Sequence, residues 1–192
     1  MTRRRGGRYL PAFLLTVALA GCDSSAPSDA NSVAVQAPAS VPASACPGAQ
    51  GYQHANLGYR VCYPRGWVSR DYTAEPGAGG ALSVVAFGPA GLPQHVPAAT
   101  DFEPPLAIRV FAGPKAALEA SITQGNSVTR IAVAGEAADR VAVTQEGPAA
   151  GELIVILEHD GDTFEIEKGP GTSRQSEFQA LVTSFTFAQP AS

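Results

Sequence analysis

Charge is scarce in this sequence, and so are aromatic rings. Charged residues fill 16% of the 192 positions and aromatics 7%, with one Met, one Trp, three His and three Cys. The 13 Lys plus Arg stand against 17 Asp plus Glu, a formal charge of -4. That balance argues against a nucleic-acid binder, which needs a net basic face. The local signatures of nucleophilic and zinc-dependent hydrolysis are missing too: there is no Gly-x-Ser-x-Gly, no Ser-x-x-Lys and no His-Glu-x-x-His. A hydrolase would need scattered residues, with Ser or Asp meeting one of the three histidines, and is the weakest functional reading. Gly169-Pro170-Gly171-Thr172-Ser173 is glycine-rich but lacks the Lys of a phosphate loop. It is expected to be a connecting turn whose Thr172 or Ser173 caps the helix after it. A chain of this length holds one domain with a tail, not a large multidomain enzyme.

The first residues have the pattern of an address. Arg3, Arg4, Arg5 and Arg8 form a basic start, and Leu10 to Ala20 is an apolar run. Eleven residues at about 1.5 Å each cover half of a bilayer core, too little for a stable span. The run ends in Leu19-Ala20-Gly21-Cys22, which resembles the lipobox of bacterial lipoproteins. Small residues there suit a peptidase cleft, and the Cys22 thiol carries the lipid. Residues 1–21 are therefore expected to be a cleaved signal peptide and Cys22 a lipidation site. Acyl chains contribute about 0.8 kcal/mol per buried CH₂, so two or more anchor a protein stably. Cleavage removes four arginines and no acid, leaving 9 basic and 17 acidic side chains, a net -8. Anionic head groups repel such a domain, so the lipid has to hold it to the membrane. Asp23, next to the lipidated Cys, resembles an inner-membrane retention signal, should the host be Gram-negative.

Residues 22–51 are rich in Ser, Ala, Pro, Asn and Gln, as in Ala37-Pro38-Ala39-Ser40-Val41-Pro42. They lack a sustained period and large apolar side chains, and are expected to be a flexible tether. Residues 52–188 then make a domain of ordinary size.

Within it, alternation predicts strands at Leu57–Tyr63 and Leu106–Phe111, and a short apolar run bounded by glycines predicts one at Leu82–Phe87. Paired runs flanking turn dipeptides predict Ser127–Ala134, Ala138–Gln145, Glu152–Glu158 and Thr163–Lys168. Gly135-Glu136 and Asp160-Gly161 sit between paired runs as turns. Pro114 to Gln124 has Pro in a first turn, apolar Ala117, Leu118 and Ile122, and Gly125 beyond. Phe178, Leu181, Val182 and Phe185 recur at helical spacing in a segment starting near Ser173. Strands followed by a closing helix, with one helix inserted, imply an α+β fold with a mostly antiparallel sheet.

Tyr63-Pro64-Arg65-Gly66-Trp67 after the first strand, and a C-terminal helix running into Ser184-Phe185-Thr186-Phe187, resemble the PsbP-like group, which includes the Mog1 and DcrB-like domains. The resemblance spans about residues 52–187. It implies a central antiparallel sheet with helices packed on it. Its members include a photosystem subunit, a partner of a small GTPase and envelope lipoproteins, so it implies no activity. Tyr63 and Trp67 are expected to be packing residues, with an aromatic ligand platform as the rival.

Three further features bear on function. With Cys22 lipidated, Cys46 and Cys62 remain as an even pair in an exported chain, expected to form a disulfide rather than a redox or metal pair. His159-Asp160-Gly161-Asp162 is the densest polar cluster; it suits a hairpin tip better than a metal site, and no metal or other cofactor is expected. His54 and His95 stand alone. The irregular stretch 88–105, with His95, Asp101, Phe102 and Glu103, is the candidate contact loop, and a tolerated insertion is its equal rival. The function expected from these observations is that of a membrane-anchored extracytoplasmic lipoprotein, a non-enzymatic binding module for an envelope protein. A small-ligand or metal-binding lipoprotein serving a transporter is the alternative.

Overall fold

The computed structural model describes residues 39–40, 45–96 and 103–188. Residues 1–38, with Cys22 and Asp23, lie outside them, as do Asp101 and Phe102. Eleven strands and two α-helices follow in the order β1 (Ala39–Ser40), β2 (Ala49–Gln53), β3 (Tyr59–Pro64), β4 (Trp67–Asp71), β5 (Ser83–Pro89), β6 (Leu106–Ala112), α1 (Ala116–Thr123), β7 (Ser127–Val133), β8 (Glu136–Ala142), β9 (Leu153–His159), β10 (Asp162–Lys168), α2 (Gln175–Ser184) and β11 (Thr186–Phe187). The fold is α+β. Seven strands form one sheet in the order β4-β5-β6-β10-β9-β8-β7, and a smaller sheet runs β1-β2-β3-β11. All pairings are antiparallel.

Local chemistry places the hairpins. Asp160 and Gly161 both take positive φ, 51° and 84°, between β9 and β10. Two such residues in succession give the turn whose twist matches the flanking strands. Between β7 and β8 the turn is Ala134-Gly135, at φ 54° and 88°, one residue earlier than expected. Ala at such a φ costs roughly 1–2 kcal/mol, which seven paired residues on either side offset.

One continuous core lies between the two sheets. From the small sheet and α2 it takes Tyr52, Tyr59, Val61, Tyr63, Phe178, Leu181 and Phe185; from the large sheet, Val85, Phe87, Ile108, Val155, Leu157, Phe164 and Ile166. Tyr59 stacks on Phe185 at 5.6 Å between centroids, and Tyr63 lies 5.2 Å from Phe87. Helix α2 ends one residue before Phe185, whose side chain remains fully buried. Trp67 is half-buried against the same core with the Arg174 guanidinium 5.0 Å above its ring. Both aromatics of the Tyr63–Trp67 opening are thus packing residues.

The small sheet begins inside the segment read as tether. Cys46 is buried and bonded to Cys62 of β3, with Cα atoms 5.6 Å apart. Strand β2 starts at Ala49, and Ala39 and Ser40 pair with Gln53 and Tyr52. Composition misses this because Tyr52 is the one large apolar side chain of β2; the disulfide and the ladder to β3 hold it instead. The Cys62 backbone N–H also donates to Ser184 Oγ at 2.9 Å, joining β3 to the end of α2.

Helix α1 covers part of the opposite face of the large sheet, its Ile122 packing on Val141, Ile154 and Ile156. The Glu158 carboxylate accepts the Lys115 backbone N–H at 3.1 Å, so the helix starts beneath the β9–β10 hairpin.

Candidate functional site

Among the described residues, the cover on the core face of the large sheet stops before its β7 side. Strand β8 turns Ala138, Arg140 and Ala142 toward that face, opposite Ile131, Thr129 and Ser127 of β7 and Leu157, Val155 and Leu153 of β9. Helix α2 shields only the end nearest the β7–β8 turn. Between the helix and the strands lies a cleft of about 290 Å³, lined by Ile131, Val133, Arg140, Val155, Phe178, Gln179, Val182 and Thr183, among others. A second hollow of about 190 Å³ shares Ile131 and Arg140 with it and continues to Ser127 and Leu153. The two make one groove beside the sheet's edge strand.

Arg140 is the single charged residue in that lining. Among the described residues it makes no hydrogen bond or ion pair, whereas its counterparts on the other face do. Arg130 Nε reaches Asp139 Oδ1 at 3.3 Å, and the Lys115 ammonium bonds the other oxygen. The Lys115 hydrogen bond is the main reason that the Asp139 carboxyl titrates below its ordinary value. Small Ala138 and Ala142 on either side of Arg140 leave the groove open along β8. A preformed concavity with apolar walls and few polar groups is the general shape of a binding site.

The opposite face holds a buried acidic group. Glu165 and Glu167 of β10 are 7% and 6% exposed. Glu165 stands opposite Arg109 of β6, whose Nε lies 3.1 Å from Glu167 Oε2. Burial, then the Glu167 charge, pushes the Glu165 carboxyl up to about 7. Burial and the same neighbour raise Glu152 to about 8, with Glu103 and Glu165 adding to it. The alternation Thr163-Phe-Glu-Ile-Glu reads as a half-exposed strand; only its central place in the sheet puts the glutamates under cover.

The sequence-predicted sites fare unequally. Cys46 and Cys62 form the expected disulfide. Cys22, Asp101 and Phe102 lie outside the described residues. His95 is 83% exposed with Nδ1 2.8 Å from Glu75 Oε1, and Glu103 is exposed and contributes to the field at Glu152. The described parts of the 88–105 stretch pack through Leu92 on Tyr72, whose hydroxyl donates to the Pro93 carbonyl. His159 contacts Glu136 at 2.9 Å and stacks on Phe187 at 3.5 Å, while Asp160-Gly161 makes the turn. Among the described residues no three of His, Cys, Asp and Glu come together to hold a metal. His54 Nδ1 accepts the Leu57 N–H at 3.1 Å, and burial lowers its pKa.

Neither Thr172 nor Ser173 caps α2. Arg174 occupies the cap position at φ 64° with no side-chain bond. The glycine segment is held from below, since the buried Lys168 ammonium donates to the Gly169 and Gly171 carbonyls at 2.6 Å each. Burial lowers the Lys168 pKa. Sequence reasoning missed the groove altogether. A hint was present in Ser127–Val133, which carries neither acid nor Pro nor aromatic.

No family model matches the chain, and no curated protein matches it by sequence. Among solved structures it is similar to cyanobacterial PsbP (CyanoP) from Synechocystis sp. PCC 6803, with a TM-score of 0.47 and 17% identity over 73% of this chain and 93% of that one. This is the group that the Tyr63–Trp67 opening resembles. A likeness of that degree carries no argument about what the chain binds or does.

Proposed function

We propose that this chain is a lipid-anchored extracytoplasmic lipoprotein whose α+β domain is a non-enzymatic binding module for an envelope protein. The observation that carries the reading is the uncovered β7–β8 flank: a groove with apolar walls and one uncompensated cation, open beside an exposed seven-residue edge strand. The basic, apolar, Leu19-Ala20-Gly21-Cys22 opening supports the anchor. The Cys46–Cys62 bond supports export, since disulfides persist in oxidising compartments.

Cross-linking in native membranes, followed by purification of the tagged full chain, tests this. A discrete cross-linked envelope protein is expected, and it should vanish when Cys22→Ser releases the chain from the membrane. Repeated isolation without any partner overturns the reading. The cleft of about 290 Å³ favours one second reading, a small-ligand lipoprotein serving a transporter. A ligand-induced rise in melting temperature across a metabolite and metal panel would support it, and flat curves would dismiss it.

A further inference from the structure

We propose that β7 is a receiving strand: it takes up an extended, carboxylate-bearing segment of the partner, which adds an eighth strand to the large sheet and places an acidic side chain against Arg140. This rests on the binding-module reading above and names the surface and the chemistry it recognises.

The edge itself is the first argument. Strand β7 pairs with β8 through seven consecutive residues with no bulge, and among the described residues its other side has no neighbour in the sheet. Exposed sheet edges are normally blunted by charged side chains, Lys above all, by Pro, by a bulge or by shortness, because an unpaired row of N–H and C=O groups templates another strand. Ser127-Val128-Thr129-Arg130-Ile131-Ala132-Val133 has no Pro, Lys or bulge and is seven residues long; its one charge, Arg130, is paired with Asp139 on the face away from the groove. At the opposite edge, β4 is five residues long and carries Arg70 and Asp71.

Charge complementarity is the second. An added strand lies about 4.8 Å beyond β7, and alternate side chains face the groove. The residue opposite Thr129 would share a row with Arg140, which is itself opposite Thr129 on β8. Two strand spacings, roughly 10 Å, separate the two backbones, a gap that an extended Arg and a carboxylate side chain close together. The groove lining offers no acid of its own, and β7 carries none. Main-chain bonds would supply affinity, and the Arg140 row would select an acidic residue over a neutral one.

The test uses the full chain in detergent micelles with synthetic probes: a ten-residue extended peptide of alternating Thr and Val bearing one central Glu, its Gln counterpart, and octanoate. Hydrogen–deuterium exchange should show protection of residues 127–133 by the Glu peptide. The Gln peptide should bind about tenfold or more weakly, the size of one charge-assisted contact. Arg140→Gln should make the two peptides equal. N-methylation of the peptide amides that face β7 should abolish binding, and methylation of the alternate set should not, which keeps the test independent of how Arg140→Gln folds. Three results overturn the proposal: no protection by either peptide at millimolar concentration, binding of octanoate equal to the peptide without protection of β7, or protection that rises with protein concentration alone. If a partner is cross-linked in membranes but Arg140→Gln leaves the yield unchanged, the receiving strand is wrong and the module reading stands. If no partner is captured at all, the module reading itself fails.

Discussion

The two flanks of the seven-stranded sheet are built to different standards. On the β4–β5 side both faces are covered. Val85 and Phe87 lie under Tyr52 and Tyr63, while Val84 and Ala86 lie under Tyr72 and Leu92. On the β7–β8 side Val133 and Ala138 enter the main core, Val141 packs beneath α1, and most of β7 stays in solvent. The difference follows the rings. Tyr52, Tyr59, Tyr63, Phe87, Phe164 and Phe185 form a connected aromatic cluster, and β7 and β8 contribute none. Large rings bury the most area per residue, so a domain poor in aromatics spends them on one side. The other side is left open among the described residues.

That contrast can be broken at its strongest point first. Phe185→Ala, in the closed region, should cost about 4 kcal/mol in urea unfolding, the usual loss for a fully buried ring. Next, the Cys46→Ser/Cys62→Ser double variant should lose about 3 kcal/mol, the chain-entropy value for a loop of this size. Equal unfolding midpoints with and without reductant would refute that expectation.

A third measurement concerns the acidic group between the flanks. Glu165 and Glu152 titrate near 7 and 8 when folded, above the ordinary 4.5. Between those values the folded chain holds protons that the unfolded chain releases. Stability should therefore be greatest near pH 5 and fall as the pH rises through 7 to 8. Glu165 accounts for up to about 3 kcal/mol of that fall, and Glu165→Gln should flatten the curve and raise the melting temperature at pH 8. A wild-type curve that climbs from pH 5 to pH 8 would contradict this. Smallest of all, Arg140→Gln should shift stability by no more than about 0.5 kcal/mol, because no partner is lost in the fold. A loss above 2 kcal/mol would mean that the open flank is structural after all.

Much of the fold was legible because its signals are local. Asp160-Gly161 fixes a tight turn, and Phe178, Leu181 and Val182 fix the buried stripe of α2. The elements that escaped notice lack such signals. Strand β2 has one large apolar residue, β4 follows a turn at Arg65-Gly66, and β11 is two residues long. The candidate site was less legible still. The 88–105 stretch is distinctive because it is long and irregular, and its Glu103–Pro105 end lines a hollow of about 230 Å³ of its own. The β7–β8 groove instead exists only where α2 meets the strands, which no local pattern shows. Arg140, in a strand that otherwise reads as a plain amphipathic run, gave no sign of standing in a groove.

By itself, then, the sequence determined the α+β class, most of the strands, the closing helix, the pairing of two of the three cysteines and the absence of familiar catalytic motifs. Each rests on neighbours in the chain or on counting. Tertiary structure alone decided the order β4-β5-β6-β10-β9-β8-β7, and with it which faces are covered. That order puts β10 at the centre, so Glu165 and Glu167 are buried although their alternation marks them as exposed. It also puts β7 at the rim, where a strand of ordinary composition keeps an edge that no other described strand pairs. The physical reason is the same in both cases: whether a side chain meets water depends on which strands lie beside and above it, and no local pattern encodes that.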